Sequence, residues 1–120
     1  MSREFLDFLD DMISMVDHAL TFVHGMTYEQ FTKDEKTRFA VLQALEILGE
    51  AAKHIPEEVS NHYSNIPWKK ISGMRDVLIH GYFGVNIRHV WDTLVDDVPS
   101  LREKLRVVRD ELIKNADIST

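Results

Sequence analysis

The chain has 120 residues, 44% of them hydrophobic and 28% charged, and its formal net charge is −6. That length fits one domain able to bury its own core, and the composition excludes an intrinsically disordered protein. The absence of cysteine excludes disulfides, zinc–thiolate centres and thiol catalysis. The acidic balance argues against a general nucleic-acid-coating protein, because phosphate contacts require Lys and Arg.

The start of the chain and its hydropathy bear on location. The chain opens with the residues MSRE and carries acidic residues through its first turns, which is not the pattern of a secretory signal peptide. No apolar run approaches the roughly 20 residues that span a bilayer. We therefore expect a cytoplasmic protein without membrane partners.

Two long helices are predicted in the first half of the chain. Residues 4–23 place apolar residues at steps of three and four, the period of an amphipathic helix, and Gly25 supplies a stop signal. The sequence TKDE at residues 32–35 has the form of a capping box for a second helix, which runs to about His54 before Pro56 ends it. The run GEAA at residues 49–52 indicates a close crossing with another helix.

The second half of the chain predicts a connector and two further helices. Residues 56–67 contain Pro, Ser and Asn and are typical of a connector. Residues 68–80 form a third helix, either continuous or broken near Ser72-Gly73. Asn86 is a candidate N-cap for a last helix, which has an interruption near Pro99, with Ser100 as a candidate second cap, and frays over residues 115–120. The fold class is therefore all-α, with residues 1–120 forming a single domain of four or five bundled helices.

Positive charge is concentrated in residues 66–90. This segment has a net charge of +3, so the rest of the chain carries −9. A basic strip on an acidic body fits a focused anion site. Outside the motif described next, the candidates for phosphate or RNA contacts are Lys69, Lys70 and Arg88.

Histidine spacing gives no support to a metal site. None of the six histidines forms a His-x-x-x-His pair, and the chain contains no Glu-x-x-His pair of the kind found in di-metal carboxylate bundles. We expect neither a metal nor a cofactor.

Residues 75–82, with the sequence RDVLIHGY, combine groups suited to phosphodiester chemistry. Arg75 offers a permanent, fork-shaped cation, and Asp76 lies one helical turn before His80. On a regular helix Arg75 and His80 diverge by about 140°, but Gly81 can end the helix and place His80 in its last turn, where the helix dipole favours the protonated ring. The alternative interpretation is structural: Arg75 and Asp76 form a surface salt bridge, His80 caps the helix and Tyr82 packs.

The same residues resemble the motif of the HEPN superfamily, in which an Arg precedes a His by four to six intervening residues. The sequence RDVLIH at 75–80 fits with four, and HGY at 80–82 matches the narrower form of the HepT-like toxins. The run GEAA at 49–52, IPW at 66–68, and VW at 90–91 followed by Pro99 agree with the family in register. The resemblance covers about residues 4–112.

The resemblance implies a HEPN-like, homodimeric toxin of a toxin–antitoxin pair that cuts RNA without a metal. It implies catalytic roles for Arg75 and His80, a supporting role for Asp76, and an antitoxin of the minimal nucleotidyltransferase type that transfers AMP to Tyr82. Two other hypotheses remain open: a non-catalytic nucleotide- or phosphate-binding partner subunit of a nucleotidyltransferase, and a purely structural dimerising bundle. Trp68 and Trp91 fall on apolar stripes or their edges and are expected in the core rather than as base-stacking platforms.

Overall fold

The fold is all-helical over the part of the chain that the structure describes. The computed structural model describes the backbone of residues 4–80 and 86–118 and the side chains of residues 4–74 and 86–115. Within those ranges it contains seven α-helices and one π-helical turn and no strand. The elements are α1 (Glu4–Phe22), α2 (Tyr28–Lys33), α3 (Glu35–Ala52), α4 (Glu57–His62), α5 (Trp68–His80), α6 (Ile87–Asp92), the π turn (Thr93–Asp97) and α7 (Val98–Ile118). The all-α prediction is confirmed.

The bundle is organised around α1 and α3. Helix α1 packs along α3 and α7, and α3 also packs along α5. One apolar core joins these helices, and among the described residues no polar or charged side chain is fully buried. The largest fully buried side chains are Leu9, Met12, Val16, Phe31, Val41, Leu45, Leu48, Ile66, Leu94, Leu105 and Val108. The small-residue run on α3 contributes buried Gly49, Ala51 and Ala52, and α3 contacts both α1 and α5.

The first predicted helix is confirmed, and its end has a clear local cause. Helix α1 closes at Phe22, and Gly25 adopts a φ of +76°. That left-handed conformation is costly for any residue with a Cβ. Thr27 then caps α2 with a full capping box, in which its side chain accepts from the backbone N–H of Gln30 and the Gln30 side chain accepts from the Thr27 N–H.

The capping box predicted at residues 32–35 is wrong. Thr32 lies inside α2, where its hydroxyl donates to the Glu29 carbonyl. The N-cap of α3 is Asp34, whose carboxylate accepts from both the backbone N–H and the hydroxyl of Thr37. These hydrogen bonds hold the pKa of Asp34 below its ordinary value. Two polar residues with capping ability stand two positions apart, and the one that faces free backbone donors becomes the cap.

The predicted connector at residues 56–67 contains the short helix α4, with Pro56 at its N-cap and an acidic first turn. After α4 the chain is tied to α5, because the indole Nε1 of Trp68 donates to the Tyr63 carbonyl at 3.0 Å. Trp68 is buried, as predicted, and Trp91 is partly buried against Phe31, with ring centroids 5.2 Å apart.

Tyr63 gives a prediction for alkaline stability. Burial, together with the hydrogen bond and negative charge of Glu111 on α7, raises the pKa of Tyr63 to about 12. A folded-state pKa above the unfolded value of about 10 contributes stability that is full below pH 10 and is lost as the pH rises towards 12. Urea unfolding of Tyr63→Phe should show about 1 kcal/mol less stability at pH 8 and a flatter decline above pH 10. The Tyr28→Phe variant is the control, and identical pH profiles for the two variants would contradict this role.

The last two α-helices form one rod with a π turn in it. Asn86 caps α6 by accepting from the His89 N–H at 3.1 Å, as predicted. The interruption expected near Pro99 is also present, but it lies before the proline and is a π turn, in which Val98 N–H donates to the Thr93 carbonyl five residues back. No recapping by Ser100 is seen, because α7 begins at Val98. Helix α7 stays helical beyond Asn115, to Ile118.

Ion pairs fasten α7 to α1. Asp17 binds Arg102 and Arg106, the latter at 2.8 Å, and Asp10 binds Arg109. The pKa of Arg102 and of Arg109 is raised by the carboxylate that each contacts. Three arginines of α7 are therefore committed to the scaffold. None of the helices in the described part of the chain combines the length and hydropathy of a membrane span.

Candidate functional site

Helix α5 carries the candidate motif on one uninterrupted stretch of backbone. It runs from Trp68 to His80, so the possible break at Ser72-Gly73 does not occur. Its described backbone extends to His80, and Gly81, which was expected to end the helix, lies outside the described residues. The side chains of Arg75, Asp76 and His80, and the whole of Gly81 and Tyr82, lie outside the described residues. The relative placement of the Arg75, Asp76 and His80 positions is therefore taken from the backbone of α5.

The register of α5 places Arg75 and His80 on different faces. Trp68 and Ile71 are buried, and the Arg75 backbone position, seven and four residues after them, lies in line with them along the helix. His80 is five positions further on, which puts the two positions about 140° apart around the axis. Instead, the His80 position is in line with Gly73, seven residues earlier.

A pocket of about 390 Å³ lies beside that second stripe, between α5 and α6. Its described wall is mostly apolar, and Lys70 and His89 are the charged or titratable residues among those described. It is lined by Leu45, Lys70, Gly73, Met74, His89, Val90 and Thr93. The motif begins at the residue after Met74, so the pocket adjoins the candidate site along the same helix.

A second pocket of about 280 Å³ shares Lys70, Met74 and Thr93 with the first and extends towards α7. Its further lining includes the acidic residues Asp96 and Asp97 together with Lys104. Lys104 is tied to the connector, since its Nζ donates to the Asn65 carbonyl at 3.3 Å. Among the described lining residues, this pocket is thus the more acidic of the two.

The three predicted phosphate contacts differ in how free they are. Lys69 and Lys70 are exposed near the start of α5, and among the described residues no carboxylate pairs with either. Arg88 is already engaged: its guanidinium lies 4.5 Å from the centroid of the Tyr28 ring, and its Nε is 3.2 Å from Asp92. Lys70 is therefore better placed than Arg88 to meet a phosphate.

The described histidines have separate surroundings. His54 stacks on Phe8 with ring centroids 4.2 Å apart and lies 3.8 Å from Glu50, while His89 lines the pocket beside α5. No three His, Asp or Glu side chains of the described residues are grouped so that they could hold a metal ion.

Sequence reasoning missed the pocket residues Gly73, Met74, His89 and Thr93. It treated Gly73 only as a weak point of the helix. The pocket joins residues of α5 to residues of α6 and the π turn that lie 15 to 23 positions further along the chain. A usable signal was the glycine itself, because a glycine inside a helix commonly marks close approach or open space.

The family model for the HepT-like ribonucleases matches residues 12–108, which include all of α3 and α5 and the motif positions. The chain belongs to the HepT-like ribonuclease family. The "Probable ribonuclease HepT" of Thermococcus cleftensis is 42% identical over 91% of this chain and 99% of its own length. A "Putative RNase" of Methanocaldococcus jannaschii is 39% identical over 86% of each chain, and another of Caldanaerobacter subterraneus is 39% identical over 84% of this chain and 90% of its own.

Membership of the HepT-like family identifies the enzyme class as ribonuclease. The all-helical bundle agrees with the HEPN-like fold expected for this family. No solved structure matches the chain.

Proposed function

We propose that this HepT-like chain is a metal-independent endoribonuclease, the toxin of a toxin–antitoxin pair, and that Arg75 and His80 are its catalytic residues. The observation that carries the proposal is the family match over residues 12–108, within which α5 holds an Arg and a His in the family spacing at its C-terminal end. RNA in the cytoplasm is the substrate.

The reaction we propose is transfer of the RNA backbone onto its own ribose. The 2'-oxygen attacks the adjacent phosphorus, so that an O2'–P bond forms as the P–O5' bond breaks. His80 takes the proton of the 2'-hydroxyl, and the departing 5'-oxygen gains a proton, which leaves a 2',3'-cyclic phosphate and a 5'-hydroxyl. Arg75 stabilises the charge that develops on the non-bridging oxygens. Asp76, one turn before His80, supports the ring and its tautomer.

A homodimer completes the proposed site. On one α5 the Arg75 and His80 positions point about 140° apart, so a single copy does not direct both at one phosphate. Two copies meeting at the ends of α5 bring an Arg75 and a His80 together, and they place two basic segments of net charge +3 beside one cleft. That local charge offsets the acidic body, whose repulsion would otherwise oppose RNA binding.

The substrate and metal requirements test the proposal directly. Purified protein is expected to cut a short single-stranded RNA at the same rate with and without EDTA. It should leave an oligonucleotide of the same sequence intact when every ribose is 2'-deoxy, because the nucleophile is missing. Electrophoresis and mass spectrometry of the products give the readout. Cleavage that disappears with EDTA, or cleavage of the deoxy strand, would refute the mechanism; binding without any cleavage would favour the nucleotide-binding partner subunit.

Tyr82 is the proposed switch. The nucleotidyltransferase antitoxin would transfer AMP from ATP, with the Tyr82 oxygen bonding to the α-phosphorus and pyrophosphate leaving. The added phosphate lies two residues from His80, where it repels RNA and competes for Arg75. Peptide mass spectrometry after co-expression with a nucleotidyltransferase encoded beside this chain should find AMP on the peptide containing Tyr82, together with loss of cleavage. The Tyr82→Phe variant should remain unmodified; AMP on another residue would contradict the assignment.

A further inference from the structure

The pocket between α5 and α6 has no role in the chemistry described so far. Leu45, Met74 and Val90 make its wall apolar, and its volume of about 390 Å³ lies in the range of roughly 300–1,000 Å³ for small-molecule sites. It is open where Gly73 stands, because a Cβ built there would meet no atom within 4 Å. The bundle thus offers an accessible pocket whose size and polarity suit a nucleobase.

The register of α5 connects this pocket to the candidate catalytic position. Gly73 and His80 are seven residues apart, so the two positions lie within about 20° of each other around the axis and about 10 Å apart along it. One or two nucleotides of an extended single strand span that distance. A phosphate held at His80 therefore places a neighbouring base beside Gly73.

Charge separates this pocket from the adjacent one. Lys70 and His89 lie at this pocket, and none of its described lining residues is acidic, whereas Asp96 and Asp97 line the neighbouring pocket. Phosphates flanking a bound base are attracted by the first arrangement and repelled by the second. Lys70, which no carboxylate of the described residues pairs with, is the cation available to them.

We propose that this pocket is a base-binding subsite that receives one unpaired RNA base next to the scissile phosphate and so selects where the RNA is cut. The inference rests on the proposed ribonuclease function. The base packs between Met74 and the apolar side chains of α3 and α6, and Lys70 contacts the phosphate beside it. Single-stranded RNA is the required form, because a base can enter only when it is unstacked.

Gly73 allows a sharp test, since a Cβ added to this pocket-lining residue meets no atom within 4 Å, so that a larger side chain can be introduced beside the pocket. Gly73→Leu is expected to lower kcat/KM on a short unpaired RNA by about 5- to 150-fold, the range for losing one stacked base. Gly73→Ala should give a smaller loss. Gln43→Leu, which adds the same side chain to the exposed side of α3, is the matched control and should cleave at the wild-type rate.

Abasic substrates identify the base directly. Removing one base at a time around the cut should reveal one position at which the missing base slows cleavage by the wild-type protein by the same 5- to 150-fold. The Gly73→Leu variant should cleave that abasic RNA and the intact RNA at equal rates. Equal cleavage by wild-type protein and Gly73→Leu, with unchanged cut sites in a randomised RNA pool, would overturn the proposal.

A measurement of RNA binding tests the subsite independently of catalysis. Fluorescence anisotropy with a non-cleavable 2'-O-methyl oligonucleotide should show weaker binding for Gly73→Leu, whether or not the protein cleaves RNA. Lys70→Ala should reduce affinity and its salt dependence more than Lys69→Ala, because Lys70 lines the pocket and Lys69 does not. If Gly73→Leu instead changes the oligomeric state measured by light scattering and leaves RNA binding intact, the pocket holds protein and the proposal fails. Cleavage by His80→Ala, by contrast, would count against the catalytic assignment alone.

Discussion

His80→Ala is expected to lower RNA cleavage by about 10²–10⁴-fold, the cost of removing a positioned general base or acid. His80 is the last residue of α5, one turn after Asp76 and in line with the open stripe that Gly73 begins. Its replacement shortens a side chain at a helix end and leaves the buried residues Trp68 and Ile71 in place. The fold should therefore survive, and circular dichroism with urea unfolding should match the parent.

The best control for this loss is another exposed histidine. His24 follows α1 on the surface, and His24→Ala should cleave at the parent rate under the same conditions. Initial rates on a fluorescently labelled single-stranded RNA measure both variants. Parent-like cleavage by folded His80→Ala would remove His80 from the mechanism, and equal losses in both variants would point to a general effect on stability.

Two inactive copies are expected to restore activity when they form one dimer. The Arg75 and His80 positions are about 140° apart on α5, so the proposed site takes its Arg from one copy and its His from the other. A heterodimer of Arg75→Ala with His80→Ala then contains one complete site and one empty site. Purified through two different affinity tags, it should recover roughly half of the parent activity, because a twofold dimer has two equivalent sites.

A second heterodimer distinguishes a site shared between copies from a site within one copy. A heterodimer of His80→Ala with the double variant Arg75→Ala/His80→Ala contains no intact His80 and should stay inactive. If Arg75 and His80 act within one copy, the first heterodimer has no complete site and stays inactive as well. If the second tag recovers no partner, the chain does not form the proposed dimer. Each outcome is read from the same purification and the same rate measurement.

The long helices could be predicted because their periodicity reports directly on burial. Steps of three and four mark the buried face of α1, and the same steps run through α6, the π turn and α7. The short helices α2 and α4 could not be found in this way, since six residues hold fewer than two turns of pattern. Their caps were visible, however: the sequence TYEQ at residues 27–30 is a capping box, and Pro56 precedes two acidic residues.

The predicted helix boundaries were wrong where two neighbouring residues could each fill the same structural role. Thr32 and Asp34 are both capable of capping, and only the geometry of the α2–α3 junction selects Asp34. Gly73 lowers helix propensity, but the flanking burial of Ile71 keeps α5 continuous. Tertiary packing outweighs the roughly 1 kcal/mol that a helical glycine costs.

The candidate site was predictable in its motif and not in its surroundings. The spacing of Arg75, His80 and Tyr82 is a property of the sequence. The engagement of Arg88 by Tyr28, 60 positions away, depends on the docking of α2 against α6. The pocket likewise exists only because residues of α3, α5 and α6 converge around it. For this reason, counting charges along the sequence overestimated the availability of Arg88 for phosphate binding. It also gave no sign that Lys70 lines the pocket and Lys69 does not.

The π turn between α6 and α7 amounts to a one-residue insertion absorbed without a loop. Its hydrogen bond from Val98 to Thr93 spans five residues where a regular helix spans four. A relative with one residue fewer here would carry a regular helix with α6 and α7 in nearly the same phase, because the wide turn takes up the extra residue. Relatives that differ by one residue at this point are therefore best aligned by helical phase before their residues are compared.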